Sequence, residues 1–463
     1  MTDLAVSSAL AAAATHPDPA FPRFHPRPAQ GWINDPNGVS YINGQYHVFF
    51  QYNPLSARHH QIQWGHVSSP DLVRWEEHPV ALVPQQGGPD SAGCWTGVVT
   101  LDGGVPTAAY SGIKDHGGHS QVVIARGSAD LVSWEQDGHV AASMPADPLV
   151  TAVRDPFIFM FEGVRYAMQG AGLSDGRAAL LLYTVSDMDA WEYHGIWLTS
   201  ADPVAAVHTP AEIWECPQLV QVPNTSGEST WVMMFSLWLS GDDHEHANGV
   251  GHLIGSLTAD PSSGLPVFTP SAGGRSDLGR DFYAPQIVQI AHGSAPSSAP
   301  ASSPAALLWG WANEGPGRDG RRGRSQQEID DAGWSGVLTH PRVLSVASGE
   351  LVVAPAPEVS AYRGPLVASA AGGAVAVPAF AEVLVSGSGP VELTLGSGGQ
   401  VVNAGSIVDG EELRIFIDAS LVEVYRTGSV ATTVRAYPAP GEEWQLTLPA
   451  TATADVWELT LPE

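Results

Sequence analysis

Three segments of this chain share the pattern Asp-x-x-x-Trp-Glu: Asp71 to Glu76, Asp130 to Glu135 and Asp187 to Glu192. Their tryptophans, Trp75, Trp134 and Trp191, are separated by two nearly equal intervals, and each segment leads into turn-rich sequence and then a strand-like run. A fixed period of this kind marks a repeat architecture, in which each unit buries its apolar face against its neighbours. A period of about 60 residues exceeds WD40 and kelch units, yet it accommodates the four strands and generous loops of a propeller blade. Composition agrees: 50 Gly and 37 Pro suit many short strands joined by tight turns. No ten-residue stretch with a 3.6-residue period stands out between Gly31 and Arg342.

A second regularity points to a site. Asp35, Trp95, Asp155 and Glu215 follow one another at one and the same interval, at or near the start of strand-like runs Gly38 to Gln51, Trp95 to Leu101, Pro156 to Gly163 and Glu215 to Val222. A fifth start, Asp281-Phe282-Tyr283, follows Glu215 after a slightly longer interval. In a propeller the innermost strands begin on one face around one axis, so three carboxylates and two aromatics are expected at one mouth.

The expected fold class is all-β, a five-bladed β-propeller followed by a C-terminal β-sandwich. The expected divisions are a flexible N-terminal segment over 1–22, the propeller over 23–342, a connection over 343–367 and the sandwich over 368–463. The sandwich is read from alternating runs such as Glu411 to Tyr425 and Thr432 to Tyr437 between Gly- and Pro-rich turns. Gly293 to Ala305 is Ser/Pro/Ala-rich and reads as a surface loop of the fifth repeat.

Charge and cysteine count exclude several classes. With 48 acidic against 20 basic side chains the net charge is −28, which removes the basic footprint a nucleic-acid partner requires. No apolar run reaches the ~20 residues that span a bilayer. Asp3 stands where a signal peptide carries positive charge, so a soluble, cytoplasmic protein without membrane partners is expected. The two cysteines, Cys94 and Cys216, make neither a disulfide framework nor a four-cysteine zinc site, and read as small buried fillers. Asp242-Asp243-His244-Glu245-His246 has metal-ligand residue types but suits a solvated acidic loop, and His59-His60 reads as solvated.

Taken alone, Trp32 to Gly38 (WINDPNG) is a turn sequence, and Arg154-Asp155-Pro156 is a surface ion pair before a proline. Taken together, three acids at one phase of a repeat match what glycoside hydrolysis demands: one carboxylate as nucleophile or base and another as acid, on a rigid frame. A neighbouring charge and partial burial would raise the acid's pKa.

These residues also carry a family resemblance. The chain resembles glycoside hydrolase family 32, the invertases, levanases, inulinases and sucrose-6-phosphate hydrolases. The motifs are WINDPNG at Trp32 to Gly38, QYNP at Gln51 to Pro54, WGH at Trp64 to His66 and GCWTG at Gly93 to Gly97. They continue with RDP at Arg154 to Pro156, ECP at Glu215 to Pro217, DFYAPQ at Asp281 to Gln286, GWSGVLTHPR at Gly333 to Arg342 and the late DASLVEVY. The resemblance runs from about residue 24 to 463 and carries a five-bladed propeller with a β-sandwich. It implies a retaining β-fructofuranosidase with Asp35 as nucleophile, Glu215 as general acid/base and Asp155 as transition-state stabiliser. It implies further that Trp32, Ile33, Asn34, Gln51, Trp64, Trp95, Thr96, Arg154 and Trp311 line the fructosyl site. The substrates it implies are sucrose and short fructans, with no metal and no organic cofactor; oligomeric state stays open.

One departure is visible: Trp95-Thr96-Gly97-Val98 stands where family members often have Trp-Ser-Gly-Ser, so one hydroxyl is lost at Val98. Two rival functions use the same frame: transfer of fructose to a sugar acceptor instead of water, and non-catalytic sugar binding, since a fold alone implies no activity. Gly317 to Arg324 (GRDGRRGR) concentrates Arg318, Arg321, Arg322 and Arg324. It is expected on the catalytic face, as a solvated loop or as guanidinium donors to the leaving-group sugar or to a phosphate on it.

Overall fold

The computed structural model describes residues 13–462 except 116–118, 225–227, 241–246, 280, 291–304, 315–322 and 397–399. Its first five sheets are antiparallel meanders built from consecutive chain, apart from the short strand Trp334–Ser335, which joins the first sheet in parallel. Blade one is Gly31–Ile42, Gln45–Asn53, Gln63–Ser69 and Glu76–Leu82; blade two is Gly93–Asp102, Val105–Ile113 and Gln121–Gly127 with two short outer strands. Blade three is Val150–Phe161, Val164–Leu173, Ala178–Asp187 and Ala190–Thr199, and blade four is Ile213–Pro223, Ser229–Trp238, Ala247–Ala259 and Pro266–Arg275. Blade five is Phe282–Ile290, Ala305–Ala312, Arg342–Ala347 and Glu350–Pro355. The inner strands neighbour one another in that order, and the first meets the fifth, so the ring is closed. Blades pack face to face, so inner strands read as near-continuous buried runs rather than as alternations.

The repeated Asp-x-x-x-Trp-Glu proves to be a turn between the third and fourth strands. Trp75, Trp134 and Trp191 each donate the indole N–H to the carbonyl three residues back, at Leu72, Leu131 and Met188. The aspartates Asp71, Asp130 and Asp187 accept from backbone N–H groups two residues on, the Asx-turn device. The motif is architectural, one signature in each of the first three blades.

Three expected boundaries shift. The run Gly38 to Gln51 contains the hairpin turn at Asn43-Gly44. The stretch 343–367 is not a bare connection: two strands complete blade five, and the 3₁₀ turn Pro357–Tyr362 then leads into the sandwich strand Arg363–Val377. The described end of the N-terminal segment is packed, since Ala13, Ala20 and Phe21 are buried with Trp334 and Tyr437.

The last hundred residues form a sandwich-like domain with its own core of Val, Leu and Ile side chains around Trp444. Its long strand Trp444–Leu459 pairs with Gly389–Leu395 near one end and with Phe380–Gly387 near the other, and Arg363–Val377 follows it along its length. Among the described residues no helix is long and apolar enough to cross a membrane.

The sandwich docks on the propeller through buried ions. Arg342 donates to Asp277 Oδ2 at 2.8 Å and to Glu423 Oε2 at 2.7 Å. His25 lies between Asp418 at 2.6 Å and Glu423 at 2.8 Å, and all five residues are buried. Burial works against Glu423 ionisation, but Arg342 and His25 outweigh it and hold this carboxyl well below the usual range. Burial likewise opposes protonation of His25, yet its two carboxylate partners push it up to about 9. A second buried cluster joins Glu314 of the propeller to Arg435 and Tyr437 of the sandwich and to Arg324.

Candidate active site

Each inner strand carries a bulge at the same level, where two residues oppose one on the second strand. The extra pairs are Asn34-Asp35, Trp95-Thr96, Asp155-Pro156, Cys216-Pro217 and Ala284-Pro285. Bulges of this kind bend a strand and re-aim its side chains. In blades three to five the first residue of the pair has positive φ: 60° at Asp155, 48° at Cys216 and 50° at Ala284. The turned N–H groups are satisfied by the preceding blade, through Ser111 Oγ at 2.8 Å, Asp155 Oδ2 at 2.9 Å and Ser236 Oγ at 2.8 Å.

The three acids come from three different positions of this bulge. Asp35 is the second residue of its pair, Asp155 the first, and Glu215 the residue before it. Their regular spacing in the chain is therefore not structural equivalence. Loop lengths shift the phase by one residue from each acid to the next, and that shift turns three carboxylates from different directions onto one centre.

Asp35 is the most heavily hydrogen-bonded of the three. It accepts from Asn34 Nδ2 at 3.1 Å, Gln51 Nε2 at 3.0 Å, Thr96 Oγ1 at 2.5 Å and, more weakly, Cys216 Sγ at 3.5 Å. Asp155 accepts from the Cys216 N–H, and the same thiol lies 3.7 Å from it. Glu215 accepts from Arg154 Nε at 3.0 Å and from the Tyr283 hydroxyl at 2.7 Å. Burial pushes Asp35 up to about 6, with the Glu215 charge adding to it against the bonds from Thr96 and Asn34. Burial and the charge of Glu215 also raise Asp155, although Arg154 opposes them. The site thus stores a proton among closely coupled acids.

A cavity of about 790 Å³ opens away from this centre, walled by residues such as Leu101, Phe159, Met160 and Trp231 and by no carboxylate. Convergent acids, not volume, mark the candidate site here.

A family model for the glycosyl hydrolases family 32 N-terminal domain matches residues 25–355, and one for the family 32 C terminal matches 380–461. The chain belongs to this family. It is 30% identical over 356 residues to a sucrose-6-phosphate hydrolase of Zymomonas mobilis, covering 74% of this chain and 63% of that protein. A sucrose-6-phosphate hydrolase of Salmonella typhimurium is 27% identical over 442 residues, 89% of this chain and 87% of the relative. In fold the chain is similar to a mutant of the GH32 beta-fructofuranosidase of Bombyx mori in complex with sucrose. That likeness has a TM-score of 0.77 at 24% identity and covers 98% and 97% of the two chains. The chain spans about 63% of the length of the Zymomonas relative.

The family 32 motifs fall around the acids unevenly. Trp32, Trp311 and Trp95 form an aromatic cluster with Cys216 and Tyr283, and the rings of Trp32 and Trp311 lie 5.8 Å apart. The Trp32 indole donates to Asn34 Oδ1 at 2.8 Å, which orients the amide that reaches Asp35. Gln51 and Thr96 bond each other as well as Asp35. Two expected lining residues do not reach the mouth. Trp64 is fully buried between blades, donating to the Trp95 carbonyl at 3.1 Å, and the Ile33 side chain belongs to the propeller core. Both support the wall rather than face it. Val98, where a hydroxyl is lost, is also a core residue.

Three contributors escape a reading by residue type. Cys216 is more than a filler, because its N–H and thiol touch two of the acids. Tyr283 was visible as a strand start, but its bond to Glu215 was not. His59 is exposed, as expected, yet it also stands edge-on to Trp32 and Trp95 at 5.9 and 5.3 Å, with Nε2 3.4 Å from Gln51 Oε1. A polar residue following QYNP in a loop pinned at Asn53 and Ile62 is the available signal. Of the arginine-rich run, Arg318, Arg321 and Arg322 lie outside the described residues, as do Asp242 to His246 and most of the Ser/Pro/Ala loop. Arg324 is not a solvated donor. It is buried over the Trp334 and Tyr437 rings and paired with Asp18 and Glu314.

Proposed function

We propose that this protein is a retaining β-fructofuranosidase that releases fructose from sucrose and short fructans. The convergence of Asp35, Asp155 and Glu215 in a hydrogen-bonded centre carries the reading. Family 32 membership and the likeness to a sucrose-bound structure support it. Asp35 attacks the anomeric C2 of the fructosyl unit. Its donors Asn34, Gln51 and Thr96 hold one oxygen arrangement, so little reorientation is needed at attack. Glu215 protonates the departing oxygen and then, as base, activates the water that frees fructose with retained configuration. Asp155, fixed by the Cys216 N–H, accepts from fructose hydroxyls more strongly as oxocarbenium charge develops.

Proton NMR of the first-formed fructose from sucrose tests this directly. The β-anomer should appear first and then mutarotate; initial α-anomer would overturn retention, and no cleavage of sucrose, sucrose 6-phosphate or 1-kestose would overturn the function. Kestose-type trisaccharides at high sucrose would place the chain with fructose-transferring enzymes instead.

A further inference from the structure

The ring closes between blade five and blade one through a short parallel pairing, Gly31-Trp32 with Trp334-Ser335. This seam adjoins the site. A Cβ at Gly336 would stand 1.9 Å from the Ile33 carbonyl and 2.8 Å from the Trp311 indole nitrogen, so the chain at 336 presses on both walls. Buried Arg27 laces the seam, donating to the carbonyls of Ser335, Gly336 and, at 3.0 Å, Gly31. Gly336 in turn donates its N–H to Glu314 Oε1 at 2.7 Å.

The sandwich grips this seam at two points. The Tyr437 hydroxyl donates to Glu314 Oε2, and Arg435 donates to the Tyr437 oxygen at 2.6 Å and the Ala312 carbonyl at 3.2 Å. The Arg435 N–H reaches Asp281 Oδ2 at 2.7 Å, two residues before Tyr283, the partner of Glu215. Glu314 lies three residues after Trp311. Both site-side ends of blade five are thus held from the second domain.

We infer that Tyr437 and Arg435 of the sandwich, acting through Glu314 and Gly336, are positioning residues that hold the Trp32–Trp311 wall of the sugar site. The second domain is then part of the binding apparatus without touching substrate. This inference rests on the β-fructofuranosidase reading. A seam that relaxes by a fraction of an ångström misplaces the wall that fixes the sugar, an error to which rates and affinities respond steeply.

The test compares Tyr437→Phe and Glu314→Gln with Glu382→Gln. The last variant weakens two ion pairs that buried Glu382 makes inside the sandwich, with Arg363 and Arg414, away from the seam. Sucrose KM should rise about fivefold or more in the first two with kcat changed less than about threefold, a loss of binding rather than of chemistry. The inhibition constant of fructose should rise in parallel. Glu382→Gln should lower Tm and leave KM unchanged. An unchanged KM in both seam variants, or an equal KM rise in Glu382→Gln, overturns the inference. Inactivity of the wild-type protein on sucrose would instead overturn the function on which it rests.

Discussion

Two groups of three acids lie inside this molecule, and burial has opposite consequences in them. At the domain interface Asp277, Asp418 and Glu423 meet Arg342 and His25, and Glu423 stays ionised far below its ordinary range because cations compensate it. At the centre of the propeller, among the described residues, Asp35, Asp155 and Glu215 share a single guanidinium, Arg154, which is directed at Glu215. There burial and mutual repulsion win, and Asp35 and Asp155 are pushed upward. The partners decide whether a buried carboxylate serves as glue or as a proton store. Even at the interface the balance is local, since Asp277 is raised by burial despite Arg342.

The sharpest way to break the contrast is to delete one acid from each group. Asp35→Ala and Glu215→Ala should each lower kcat by about three orders of magnitude or more, because in the proposed mechanism each removes a covalent or proton-transfer step. Their Tm should not fall by a comparable measure. Glu423→Gln should do the reverse, with kcat within threefold and stability down by about 3–5 kcal/mol, the scale of breaking a buried ion pair. Steady-state kinetics beside denaturant unfolding reads both. Retention of a tenth of kcat in either site variant, or an unshifted midpoint in Glu423→Gln, would erase the distinction.

The two groups also differed in how far they could be foreseen. The site was legible because family motifs and repeat phase both mark it, and the five-bladed ring follows from the same period. What escaped was the bulge, since no residue type announces that Asp35, Asp155 and Glu215 occupy three different positions of one local geometry. The interface group was invisible: His25 and Asp418 lie 393 residues apart, and no local pattern encodes such a pairing. The last two strands of blade five were missed because both are short and bounded by Pro341, the Ser348-Gly349 turn and Pro355. Punctuation of that kind reads equally well as a linker.

Charge removal sharpens the comparison further. Asp155→Asn keeps an acceptor for the Cys216 N–H, and asparagine tolerates the positive φ of 60° at this position. Removing a carboxyl whose ionisation burial and Glu215 oppose should therefore raise stability at pH 7 by on the order of 2 kcal/mol while kcat collapses, as the proposed mechanism expects of a group whose bonds strengthen in the transition state. Differential scanning calorimetry decides it. A Tm that falls in Asp155→Asn would mean that the site acids are as well compensated as the interface ones.

The smallest effect separates the groups by pH. The raised pKa of Asp35, about 6, means that, if Asp35 attacks as proposed, kcat/KM should climb as pH passes through 6 and this carboxylate ionises. The interface runs the other way. His25, held up to about 9 in the fold against an ordinary 6.5, contributes stability that is fully present below pH 6.5 and is lost as pH rises through 9. Between pH 6 and 8 its share of that loss is about 1–2 kcal/mol. Most of this window lies above the range in which the histidines whose burial lowers their pKa, His47 and His66 among them, cost stability, since they do so only as pH falls below 6.5. His25→Gln should flatten the stability slope from pH 6 to 8 and leave the activity limb near 6 in place. A variant that moved both would show the proton store and the interface to be one coupled system.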